Sequence, residues 1–260
     1  MIYPNIIYHP DSDTTVFIDT LQQIGNSASA EVVVYQSSLD ASIKAFTGGL
    51  GARELTLVGK ISSDNVDTLR RQLQYLRGKQ VYLMLGAQNL ATVARITNFD
   101  MPVAVGTYTP LTLDVVAESE TEGQFWEAED TTLTDGGGAT VSASTTASGG
   151  SVVGITAQNG GCYETISQSD FVLPVGNYTA FARAKDANNI TDDFELQLYN
   201  ITEGGVHTAS NETLASTYGM YTMDFTIDSS DAGDSLYLGV FKDKANVNFL
   251  IVDFFGFVRL

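Results

Sequence analysis

FWEAED, residues 125–130, decides how this chain is divided. It contains the only tryptophan, Trp126, and the carboxylates Glu127, Glu129 and Asp130. The acidic, polar run ESETEGQ, residues 118–124, precedes it and has no apolar periodicity. After it the apolar runs are short and the gaps between them hold DGGG, SGG, NGG, PVG, DANN and EGG. Many short strands at even spacing, broken by Gly and Asn turns, read as a β-sandwich or a barrel. FWEAED is then the first strand of a second domain. The expected division is 1–117, a linker at 118–124, and 125–260. A chain of 260 residues is long enough for two such cores.

The strands expected after the linker include SVVGITA, NYTAFARAK, DFELQLYN, MYTMDFTID, SLYLGVFK and FLIVDFFGFVRL. Before the linker one helix stands out. SSDNVDTLRRQLQYLRG puts Val66, Leu69, Leu73 and Leu76 on one face at helical spacing. Ser63 or Asp64 is placed to cap its start, and Gly78 to end it in a left-handed conformation. RELTLVGKI (53–61) and KQVYLMLG (79–86) flank it as strands. The expected fold class is mainly β: an N-terminal β-sandwich with one helix plus a C-terminal jelly-roll β-sandwich.

Charge divides the chain at the same place. Residues 1–117 carry 10 acidic and 8 basic side chains, net −2, and residues 118–260 carry 21 and 5, net −16. Such a field disfavours nucleic acid and anionic lipid as partners of the second half. No apolar run approaches the length needed to span a bilayer, so no membrane insertion is expected. The N-terminus, MIYPNIIYHPDSD, has neither a basic start nor an apolar signal core, so no export route is expected. Cys162 is alone, and His9 and His207 lie far apart, which leaves no cysteine- or histidine-based metal site. No nucleophile, base and acid are set at a recognisable spacing, so an enzyme is not expected.

Two resemblances add to this. ELTLVGKISSDNVDTLRRQLQYLRGKQVYLML, within about residues 30–117, resembles the N-terminal domain of phage distal tail proteins. That resemblance implies a homo-oligomeric ring, commonly a hexamer, at the tail tip of a virion. It also implies assembly in the host cytoplasm and contacts with tail-tube and hub proteins. Residues 124–260 resemble the calcium-containing carbohydrate-binding modules of families six and thirty-five. The motifs are Glu127-Ala128-Glu129, VGNYTAFARAK (175–185) and IVDFFGF (251–257), in the order those modules have them.

Glu127 and Glu129, two apart on one strand, would point to one face and repel each other unless a cation lies between them. Asp253 would share a face with Ile251, Phe255 and Phe257, and an ionised carboxylate in an apolar row needs a partner. The resemblance implies neighbouring first and last strands, and hence Glu127, Glu129 and Asp253 around a structural Ca²⁺, a hard ion suited to oxygen ligands. By motif position the glycan-binding candidates are Tyr163, Tyr218 and Tyr221. Ile251 stands where the family has an asparagine, and Asn246 and Asn248, just upstream, are the glycan-binding candidates in its place. Together the resemblances imply a distal tail or baseplate ring component with an outward glycan-binding domain for host-surface attachment. The alternatives are a non-viral extracellular glycan-binding adhesin and an accessory carbohydrate-binding module.

Overall fold

A computed structural model describes residues 5–18, 20–28, 34–36, 43–45, 53–62, 66–86, 90–102, 108–118, 123–134, 138–167, 172–187, 194–231, 233–243 and 249–260. The expected caps Ser63 and Asp64 lie outside these residues, as do most of the expected linker and the candidates Asn246 and Asn248.

The chain forms two compact units. One comprises Pro4–Leu85 and Thr92–Glu122. Its strands are β1 (Asn5–His9), β2 (Thr14–Ile18), β3 (Thr20–Ala28), β4 (Val34–Gln36), β5 (Ile43–Ala45), β6 (Arg53–Ser62), β7 (Gln80–Leu85), β8 (Leu90–Asp100) and β9 (Tyr108–Ala117). Helix α1 (Val66–Leu76) stands between β6 and β7. Pairing is antiparallel in the orders β3-β6-β9-β8 and β2-β1-β7.

The expected helix is present. Leu69, Leu73 and Leu76 are buried, while Val66, at the helix start, is half-buried. Gly78 follows at φ +78, with open space where a β-carbon would lie. Its amide donates to the Ile96 carbonyl at 2.8 Å. Since nothing would clash, Gly78→Ala should cost only the left-handed backbone energy, about 1 kcal/mol. Urea unfolding of the two forms would measure it, and an unchanged midpoint would contradict the assignment.

The other unit comprises Met1–Tyr3, Gly86–Ala91 and Gly123–Leu260. It is a two-sheet sandwich. Its strands are β10 (Gly123–Glu127), β11 (Thr132–Leu133), β12 (Ala139–Ala143), β13 (Ser151–Ile155), β14 (Gly161–Ser167), β15 (Gly176–Asp186), β16 (Phe194–Asn200), β17 (Gly205–Glu212), β18 (Gly219–Ile227), β19 (Leu236–Lys242) and β20 (Leu250–Arg259). Within it β10, which holds Phe125–Glu127 of FWEAED, pairs antiparallel with the last strand, β20. The division is not one cut at 118–124, however. Leu90 and Ala91, at the start of β8, pair with Gln124 and Gly123, so this unit takes in an earlier piece of chain.

One sheet of the sandwich has the order β18-β15-β20, and β20 continues to β10 and β13. The other has the order β11-β14-β19-β16-β17. The core lies between them. Ala180, Ala182, Val252, Phe255 and Phe257 come from the first sheet; Cys162, Leu196, Leu198, Leu238 and Val240 come from the second. Trp126 is partly buried against this core, with its ring 5.5 Å from Phe255 and 6.1 Å from Phe257.

Candidate functional site

Strand β20 divides one of its edges between two shorter strands. β10 runs beside residues 254–257 and stops at Glu127, opposite Phe254. β13 takes over beside residues 250–252. Asp253 lies at the changeover. On the other edge Arg183 pairs with Phe254 and Ala184 with Val252, so Asp253 is the extra residue of a β-bulge. The bulge resets the alternation, and Val252 and Phe255 both enter the core. This corrects the expectation that Asp253 shares a regular strand face with Ile251, Phe255 and Phe257.

Glu129 departs from expectation too. β10 ends at Glu127, and Ala128–Asp130 forms a 3-10 turn. Thr131 closes the turn by donating its amide and hydroxyl to the Ala128 carbonyl, at 3.3 and 2.7 Å. The two glutamates therefore do not share a strand face. They meet across the segment between β12 and β13. A β-carbon on Gly149 would lie 2.8 Å from Glu127 Oε2 and 3.1 Å from Glu129 Oε1. The absence of a side chain there leaves a space bounded by both carboxylates.

Ser148 joins Glu127 to Asp253. Its amide donates to Asp253 Oδ1 at 2.9 Å, and its hydroxyl oxygen lies 3.0 Å from both Asp253 Oδ1 and Glu127 Oε2. Arg183 donates to the other Asp253 oxygen. Asp253 is fully buried and Glu127 is 5% exposed. Burial, then the charges of Asp253 and Glu129, push the Glu127 carboxyl up to about 9, although Ser148 opposes this. Burial raises Asp253 against the opposing pull of Arg183 and Ser148, and burial raises Glu129.

One hydroxyl has one proton and cannot satisfy two carboxylates. In the absence of a metal the consistent arrangement has Glu127 protonated and donating to Ser148 Oγ. Ser148 then donates to ionised Asp253, and Arg183 balances the charge.

Among the described residues no three His, Cys, Asp or Glu side chains already enclose one point. The local chemistry nevertheless fits a hard cation. Every donor is an oxygen, Glu129 Oε2 is buried without a partner, and Gly149 leaves space beside both glutamates.

A second feature lies on the outer face of the five-stranded sheet. Cys162, Leu196, Leu198, Leu238 and Val240 point into the core, so alternation turns Tyr163, Glu195, Gln197, Tyr199, Tyr237 and Phe241 outward. The Tyr163–Tyr237 and Tyr237–Tyr199 ring centroids are each 4.9 Å apart, matching the spacing of neighbouring strands. Phe241 lies 6.0 Å from Tyr237 and 6.4 Å from Tyr163. Gly239 makes this closeness possible, because a β-carbon there would meet Tyr163 Cβ at 2.6 Å and Phe241 Cε2 at 2.7 Å. Val206 pairs with Tyr199 and extends the row, and it is 53% exposed. Burial, with Tyr199, Tyr163 and Glu195 beside it, pushes the Tyr237 phenol up to about 12, so its hydroxyl keeps its proton.

The tyrosines expected to share one glycan site therefore separate. Tyr163 belongs to the sheet face. Tyr221 packs on Phe194 with ring centroids 5.0 Å apart, and its hydroxyl oxygen accepts from the Ala215 amide at 3.2 Å. Tyr218 has Arg183 and Lys185 over its ring at 4.2 and 4.4 Å. Neither ring is an open platform. Tyr199, Tyr237 and Phe241 were not among the expected residues. The signal was present in DFELQLYN and SLYLGVFK, whose alternation leaves these side chains opposite the leucines.

No family model matches the chain, and no curated protein matches it. Solved structures do. The native structure of a family 35 carbohydrate binding module from Clostridium thermocellum is 12% identical, covering 53% of this chain and 98% of that one, with a TM-score of 0.40. The CBM22-1 xylan-binding domain of Paenibacillus barcinonensis Xyn10C is 16% identical over 50% and 84%, with a TM-score of 0.38. A carbohydrate-binding module CBM36 in complex with calcium and xylotriose is 18% identical over 52% and 98%, with a TM-score of 0.37.

Proposed function

We propose that the sandwich of Gly123–Leu260 is a non-catalytic glycan-binding module that takes sugar on the outer face of its five-stranded sheet. The observation that carries this reading is the row Tyr163, Tyr237 and Tyr199, flanked by Phe241 and Val206. Partly exposed aromatic rings offer apolar contact to the C–H faces of a sugar, and tyrosine hydroxyls and Gln197 offer hydrogen bonds to its hydroxyls. The motif resemblance of residues 124–260 points to the same class. Glycan microarray screening of the whole chain, then calorimetry on the best ligand, tests the reading. Tyr237→Ala, at the centre of the row, should weaken binding by about tenfold, and Tyr221→Ala should weaken it less. The reverse order would move the site to the loops.

Glu127, Glu129 and Asp253 would hold the Ca²⁺ that the resemblance implies. Bound there, the ion would supply positive charge to three crowded carboxylates and tie β10 to β20. In this reading the metal supports the fold, and the tyrosine face contacts the sugar.

A ring component of a virion tail is the second reading. It is favoured by the β6–α1–β7 order and the left-handed Gly78, the pattern on which the tail-protein resemblance rests. Negative-stain images of the purified chain separate the two: closed rings favour the tail component, and single particles favour an adhesin or an accessory module.

A further inference from the structure

We propose that Glu195 makes the tyrosine face selective for uncharged polysaccharide, an inference that rests on the glycan-binding reading above. Glu195 lies on β16 opposite Phe241 and one outward position from Gln197, whose side-chain amide donates to Glu195 Oε1 at 3.0 Å. Its carboxylate therefore borders the aromatic row. No lysine or arginine stands on the outward positions of the described residues of β14, β16, β17 and β19. Lys242 follows Phe241 directly but is fully buried. His207, at the bulge beside Val206, is engaged by Asp231 at 3.2 Å. The basic pair Arg183 and Lys185 is on β15, in the other sheet.

A uronate or sulfated chain laid along Tyr163, Tyr237 and Tyr199 would bring its anions beside Glu195 with no lysine or arginine among the described outward residues of that sheet to receive them. The net −16 of residues 118–260 adds a long-range field of the same sign. A neutral chain meets neither penalty, and Gln197 and the tyrosine hydroxyls can bond its hydroxyl groups. The selectivity is thus a repulsion built beside an otherwise permissive contact surface.

The test is calorimetry on the whole chain. The probes are a panel of neutral hexasaccharides of glucose, xylose and mannose, and a galacturonate hexasaccharide, at low and high salt. The expected result is binding of at least one neutral probe, weakened about tenfold in Tyr237→Ala, and galacturonate binding at least about tenfold weaker than that of the neutral probe. Glu195→Gln should then raise galacturonate affinity by about tenfold at low salt, with the gain shrinking at high salt. Two results would overturn the selectivity and leave the glycan reading standing: galacturonate binding as tightly as the neutral probes, or Glu195→Gln leaving their ratio unchanged. Failure of every probe to bind a correctly folded chain would remove the glycan reading and the selectivity with it.

Discussion

In the presence of a chelator, thermal stability of the whole chain should fall as pH rises from about 5 to about 9, and calcium should abolish most of that fall. The sign follows from Glu127. Its carboxyl is pushed up to about 9 in the fold by burial and by Asp253 and Glu129, whereas an unfolded glutamate ionises near pH 4.3. Between these values the folded chain holds a proton that the unfolded chain has released, so raising pH favours unfolding. Below the lower value both states are protonated and the penalty is absent. Calcium reverses the preference, because a metal needs the carboxylates ionised and displaces the proton. Calcium should therefore bind more tightly at pH 8 than at pH 6. At about a hundredfold excess over its dissociation constant it should add about 2.7 kcal/mol. For a chain of this size that corresponds to a rise in melting temperature of very roughly 5–10 °C. Differential scanning fluorimetry across pH, with calcium or with chelator, reads all of this. Superimposable curves would remove calcium from the site and leave the glycan reading to the tyrosine face.

What could be read from sequence was what depends on short-range periodicity. Leu69, Leu73 and Leu76 repeat at helical spacing, and α1 buries those three side chains. Glu127 and Asp253 come together because β10 and β20 pair, a neighbourhood that came from the resemblance and not from periodicity. What was not legible depends on two strands at once. The bulge at Asp253 exists only in the register between β15 and β20, so alternation along IVDFFGF alone could not show it. Ser148 and Arg183 lie 105 and 70 positions from the aspartate they serve, with nothing local to mark them. The 3-10 turn at Ala128–Asp130 was hidden by an apparently regular E-x-E. The tyrosine face failed to appear for a related reason. Each strand shows its outward residues, but only the neighbour order β14-β19-β16 puts Tyr163, Tyr237 and Tyr199 in a row.

Replacing Arg183 by methionine should be the most damaging single change near this site, costing about 3–5 kcal/mol. Asp253 is fully buried, and the Arg183 guanidinium forms an ion pair with it. Methionine keeps much of the side-chain volume and removes the charge, so the loss reports electrostatics rather than a cavity. The guanidinium also leaves the Tyr218 ring, where it sits 4.2 Å from the centroid. Asp253 must then either stay ionised with Ser148 as its remaining support or take up a proton. The second course breaks the sequence of donors from Glu127 through Ser148 to Asp253. Arg183 and a calcium ion answer the same charge, so they should be partly interchangeable. Calcium should stabilise Arg183→Met by more than it stabilises the natural chain, and the excess is the coupling between the two cations. Urea unfolding of both forms, with calcium and with chelator, gives the four free energies needed. If Arg183→Met unfolds like the natural chain, Asp253 does not depend on a cation in the fold. If the loss is large but calcium stabilises both forms equally, the ion binds away from Asp253, and only Glu127 and Glu129 remain as its ligands.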